Sequence, residues 1–153
     1  MKVVAQIKNQ EIPEGALRLA FASTDGETVD DHFGWAKNFV LFDVSKDNIS
    51  KAGKITFSGK DLDEKGNDDK LIDKVDALKD CHIVYSAAIG GPAAARLTRL
   101  KIQPLVVKDE ALIVNLLEEL KRVLGGTPPP WIRKLIKNDD PARFDEYDDD
   151  EDD

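Results

Sequence analysis

Few side chains in this sequence are equipped for metal or nucleophile chemistry: two histidines, His32 and His82, and a single cysteine, Cys81. His32 stands in the run Asp30-Asp31-His32-Phe33-Gly34-Trp35. A neutral imidazole is a good transition-metal ligand, and a neighbouring carboxylate can hold its second ring nitrogen. The competing reading is a loop histidine that caps a turn or bonds to backbone. Cys81 and His82 are adjacent. A thiolate is the natural ligand for iron–sulfur species. Cysteine is also among the most buried residue types, and neighbours on a strand point to opposite faces, so both cannot easily reach one ion.

Two more features bear on ligands. Ala88-Ile89-Gly90-Gly91-Pro92 reads as a strand-to-helix turn. Such a turn presents backbone N–H groups at a helix N-terminus, which suits an anion. It lacks the Lys and Ser/Thr of a P-loop and the spacing of a dinucleotide fingerprint, and close backbone packing would equally explain its glycines. Asp25, Glu27, Asp30 and Asp31 offer carboxylates that could hold Mg²⁺ or simply be solvated. A four-ligand zinc site made only of protein groups would need such carboxylates as well.

The elements that must position these residues follow from patterning. Leu17, Leu19 and Phe21 alternate as on a strand. Residues 23–27 form a loop, and a short helical turn is expected from about Asp30. Residues 38–44 and 49–57 read as two strands of an antiparallel hairpin. The polar stretch 58–69 reads as a mobile loop. A helix follows from about Asn67, with Leu71, Ile72, Val75 and Leu78 on one face. Residues 82–88 form a nearly continuous apolar strand, as expected where both sheet faces are covered. Pro92 suits the first turn of a helix running to Leu100. Residues 102–107 form a further strand, and Pro104 places it at an edge. Asp109 is positioned to cap a last helix whose buried stripe is Ile113, Leu116, Leu117, Leu120 and Leu124, stopped by Gly125-Gly126. Residues 127–136 are expected to lie extended on the body, anchored by Trp131.

This order predicts an α/β domain over residues 17–137, a mixed sheet of about five strands flanked by helices. Residues 1–16 read as an N-terminal extension and 138–153 as a disordered acidic tail. The net charge of -8 belongs to that tail: residues 139–153 hold ten acidic residues and one basic one. Removing them from totals of 30 acidic and 22 basic leaves 20 and 21, so the body has no cationic footprint for nucleic acid. No apolar run is long enough to cross a membrane, and the N-terminus fails as a secretory signal. With one cysteine no intrachain disulfide forms, which fits a reducing cytoplasm.

Three stretches together, residues 18–44, 81–107 and 125–136, resemble the nitrogenase iron–molybdenum cofactor-biosynthesis family, the group that includes NifX and the C-terminal domains of NafY and NifB. The pairing of the His-Phe-Gly turn with Ile-Gly-Gly-Pro-Ala-Ala-Ala is specific, and Pro-Pro-Pro-Trp points to the NifX type. The resemblance spans roughly residues 17–136. It implies a ribonuclease-H-like topology with a five-stranded mixed sheet. It also implies a non-catalytic protein that carries or stores the iron–sulfur precursor made by NifB, bound transiently. By the resemblance His32 is the cluster ligand and Cys81 a second metal contact, with Asp31, Phe33, Gly34, Gly90 and Gly91 lining the site. The implied partners are the cluster synthase and scaffold of cofactor assembly, and a monomer is expected. Two rival readings stand beside it: a Mg²⁺-dependent enzyme on phosphates, using Asp25, Asp30 or Asp31, and a protein-binding regulator that holds no metal.

Overall fold

A computed structural model of the chain describes residues 2–8, 10–58, 68–108 and 110–138. Residues 59–67 of the expected polar loop, the Asp109 cap and residues 139–153 of the acidic tail lie outside these residues, while Ser58 closes β4, Asp68 opens α1 and Asn138 ends α4. Six strands and four helices follow in the order β1 (Lys2–Ile7), β2 (Leu17–Ala22), β3 (Asn38–Val44), β4 (Ile49–Ser58), α1 (Asp68–Ala77), β5 (Ile83–Ser86), α2 (Gly91–Arg99), β6 (Gln103–Val106), α3 (Ile113–Gly125) and α4 (Pro130–Asn138). They build one mixed α/β sheet with strand order β1-β4-β3-β2-β5-β6. Strands β1 to β4 pair antiparallel, and β2, β5 and β6 run parallel.

The strand count is six, not the expected five. The added strand is β1, drawn from residues read as an extension. It lies at the sheet edge and is exposed along most of its length, so it carries no alternation of apolar and polar residues to mark it. Its docking depends on Gly53: a Cβ there would lie 2.2 Å from the Gln6 carbonyl oxygen. The β3–β4 register shifts at the same place, where Leu41 pairs with Gly53 and Phe42 with Lys51. The other edge is β6, which holds Pro104 where no ladder bond is lost.

Alternation along the strands divides the core into two layers. On one face Ala20, Leu41, Ile55 and Val84 pack with Phe33, Phe39 and Phe57, beneath Val75 and Leu78 at the α1 end and Ala93 and Leu97 of α2. On the other, Leu19, Phe21, Val40, Ile83 and Tyr85 pack under Ile113, Leu117 and Leu120 of α3 and Ile132 and Leu135 of α4. Burying each large side chain contributes roughly 1.5–3 kcal/mol, so β2 and β5, buried along their whole length, anchor the molecule.

Three local expectations change. Residues 130–138 are helical, not extended. Pro130 opens α4, where its missing N–H breaks no helical bond. Its anchors are Ile132 and Leu135, while Trp131 stays 39% exposed. The N-cap of α3 is Leu112, without a side-chain cap. In α1, Ile72 turns outward and Lys74 is buried in its place.

Candidate functional site

Strand β2 ends at Ala22 and the chain enters a loop fixed by its own acidic residues. Asp25 Oδ1 accepts the backbone N–H groups of Glu27 at 2.8 Å and Thr28 at 2.9 Å. These bonds, led by Glu27, hold the Asp25 carboxyl down at about 2. Asp30 accepts the Thr24 amide at 2.8 Å and bonds the Thr24 hydroxyl. Both carboxylates are thus engaged in shaping the loop, and among the described residues no group of three or more His, Cys, Asp or Glu side chains is placed to hold a metal ion.

Beyond this loop residues 31–36 form a single turn. The His32 carbonyl accepts the amides of Trp35 at 3.1 Å and Ala36 at 2.9 Å, the short helical turn expected from sequence. Asp31 Oδ1 accepts the His32 backbone N–H at 3.1 Å, so this carboxylate steadies the backbone and not the ring. Phe33 is fully buried against Phe39, with ring centroids 5.6 Å apart. That insertion drives His32, Gly34 and Trp35 outward into solvent.

The turn is also bonded to the segment following β5. The Ala87 amide donates to the Asp31 carbonyl at 2.9 Å, and the Phe33 amide donates to the Ala88 carbonyl at 2.8 Å. His32 and Ala88 form a parallel bridge. Two residues past Ala88, Gly90 caps α2 with extended backbone and no side-chain bond to the helix N-terminus. Gly91 begins the helix, and a Cβ there would meet nothing within 4 Å; at Gly90 the nearest atom would lie 3.9 Å away. Close packing therefore does not explain these glycines. They leave the helix end, with its unsatisfied N–H groups and positive dipole, unshielded. The structure thus brings Asp31, His32, Phe33 and Gly34 beside the segment leading to Gly90 and Gly91.

A pocket of about 510 Å³ opens alongside, lined by Val29, Asp30, Ala87, Val107, Lys108 and Glu110. Asp30 and Ala87 are the chain neighbours of Asp31 and Ala88. The pocket and the His32 turn occupy the carboxyl ends of the parallel strands, where ligands bind in open sheets of this kind.

Cys81 and His82 lie elsewhere. They precede β5, at its amino end, some seven residues from Ala88 and so roughly 20 Å away along an extended chain. Cys81 is 5% exposed, and burial pushes its thiol up to about 12. It packs in the core among apolar side chains. The structure therefore does not bring Cys81 together with His32: the thiol lies buried at the opposite end of β5. His82 is buried, and its Nδ1 accepts the Arg18 backbone N–H at 2.9 Å.

One residue of the site carried no chemical motif. Lys74 of α1 is 3% exposed, and its Nζ donates to the carbonyls of Phe33 at 3.1 Å, Gly34 at 3.1 Å and Ala36 at 2.9 Å. The ammonium also faces the rings of Phe33 at 5.8 Å and Phe57 at 5.2 Å. Burial lowers its pKa to about 8, partly offset by the charge of Asp31. A signal existed in the helix spacing: Lys74 stands three residues after Leu71 and four before Leu78, on the buried stripe.

Comparison with known proteins agrees with this architecture. The model of the family described as "Dinitrogenase iron-molybdenum cofactor" matches residues 15–123. The chain is 43% identical over 124 residues to "Protein NifX" of Herbaspirillum seropedicae, covering 81% of this chain and 84% of that protein. It is 39% identical over 127 residues to "Protein NifX" of Sinorhizobium fredii, covering 80% and 79%. A solved structure, "Crystal structure of PH0822", shares the fold with a TM-score of 0.53 at 18% identity, over 75% of this chain and 99% of that one. With a family match over most of its length and relatives of this similarity, the chain belongs to the dinitrogenase iron–molybdenum cofactor family.

Proposed function

We propose that this protein binds an iron–sulfur precursor of the iron–molybdenum cofactor, of the kind made by NifB, and carries or stores it without transforming it. Family membership supports a role in the biosynthesis of that cofactor. The carrier role rests on one observation above the others: an exposed imidazole, His32, on a turn bonded to the segment that leads into an uncapped helix N-terminus. A sulfide-rich cluster is anionic and brings most of its own iron ligands. It therefore needs few protein groups, a nitrogen donor for one iron and N–H donors for its surface. In this reading His32 binds iron. Asp31 and Phe33 set the turn, Gly34 keeps its rim open, and the amides at Gly90 and Gly91 face the cluster. A single side-chain tether suits cargo that must leave again, passing from the cluster-making enzyme to a scaffold in the cytoplasm.

The test is anaerobic. Purified protein is mixed with the isolated precursor, separated by gel filtration and analysed for iron. Iron is expected to co-elute with a monomer, and the His32→Ala variant is expected to retain at least about tenfold less. Protein that elutes free of iron, under conditions where an established carrier retains it, would refute the proposal.

A further inference from the structure

The geometry points to Lys74 as the residue that positions His32. The His-Phe-Gly-Trp turn is short, and its outer residues His32, Gly34 and Trp35 are solvated, with Trp35 57% exposed. An exposed turn of this kind does not hold an imidazole in one place by itself. Three contacts restrain it. Phe33 is driven into the core, the paired amide bonds to Ala87 and Ala88 fix its start, and the Lys74 ammonium ties down its remainder through three carbonyls.

Those carbonyls come from Phe33, Gly34 and Ala36, so the ammonium spans the segment immediately after His32. All three ammonium hydrogens have acceptors, an arrangement that neutral side chains of similar length cannot reproduce. The lysine comes from α1, which otherwise packs beside α2 on the same sheet face. Helix α1 thereby joins the two parts of the site: it packs against the helix whose N-terminus lies beside the turn, and it grips the turn itself. Lys74 touches no cargo. Its part is to keep the imidazole aimed alongside that helix end.

This inference rests on the carrier reading, and its test separates the two. Lys74→Met, which keeps the stem and removes the charge and donors, is compared with Lys74→Arg and wild type. Two readouts are taken: iron retained after mixing with the isolated precursor, and amide hydrogen exchange with no cargo present. The Met variant is expected to retain about tenfold less iron. Its Trp35 and Ala36 amides should exchange at least about tenfold faster, while those of Val84 and Tyr85 in β5 keep their protection. Arginine, which restores a cation with donors, should recover most of both. A folded Met variant with unchanged turn exchange overturns the inference, as does equal loosening of the turn and β5, or an Arg variant no better than Met. If the Met variant does not fold, exchange in wild type decides. Turn amides within about tenfold of the Val84 rate support the latch, and turn amides that exchange far faster contradict it. Wild-type protein that retains no iron removes the carrier reading alone, because the exchange measurement needs no cargo.

Discussion

The two ends of β5 carry similar-looking side chains in opposite surroundings. At the amino end stand Cys81 and His82, beside the buried pair of Arg18 and Asp43. The guanidinium meets the carboxylate twice, at 2.8 and 2.9 Å, and the hydrogen bond to Asp43 leads in raising the Arg18 pKa. Every one of these four side chains is less than a tenth exposed. At the carboxyl end stand an exposed histidine, two exposed glycines and a helix terminus without a side-chain cap. Ionisable groups enclosed by partners contribute to the fold. Groups left open after the backbone is satisfied remain free for a ligand. Burial and hydrogen bonding, more than residue type, separate the two ends.

The difference should be largest in stability. Asp43→Ala leaves the Arg18 charge buried without its carboxylate and should lower the unfolding free energy by about 3–5 kcal/mol, read from urea denaturation. His32→Ala should change it by less than about 0.5 kcal/mol, since the side chain is exposed. A His32 variant as destabilised as the Asp43 variant would erase the distinction. Within the carboxyl end, Phe33→Ala is the expected exception. Phe33 is fully buried, and its removal should cost about 3–5 kcal/mol, together with iron retention, because the turn loses its insertion into the core.

Thiol chemistry gives a sharper contrast. With its pKa pushed to about 12 and its side chain buried, Cys81 should not react with a thiol reagent at pH 8 in native protein, and should react fully in urea. Rapid native labelling would show the amino end to be open after all. The smallest expected effect concerns Asp25. Its folded pKa of about 2 lies below the ordinary 3.8, so its stabilising bonds are complete above about pH 4 and are lost as pH falls toward 2. Asp25→Asn should flatten the acid side of the stability profile in that window. An unchanged profile would mean that the loop bonds do not persist in solution.

Much of this was legible in the sequence. The apolar residues Leu17, Leu19 and Phe21 and the aromatic and β-branched run at 38–44 locate strands, because buried strand positions select such side chains; the burial of Arg18 beside Asp43 does not show in that pattern. The glycine-proline turn marks the start of α2 for a stereochemical reason that context does not override. β1 escaped because an exposed edge strand has no apolar face to display. α4 escaped because three successive prolines suggest extension, while the last of them is well suited to open a helix. In the candidate site, His32 and the glycines stood out by residue type, but their adjacency depends on amide bonds between Asp31, Phe33 and the Ala87-Ala88 segment, which no side chain encodes. Lys74 was hidden by its charge. A lysine on an apolar helix face is ordinarily read as solvated, and only the three carbonyls folded over it show otherwise.

The most direct test sets the two ends of β5 against each other in one experiment. His32→Ala and Cys81→Ala proteins are each mixed anaerobically with the isolated iron–sulfur precursor, passed through gel filtration and analysed for iron beside wild type. A carrier tethered through His32 requires that the Cys81 variant retain as much iron as wild type and that the His32 variant lose nearly all of it. Retention by the His32 variant with loss by the Cys81 variant would contradict it.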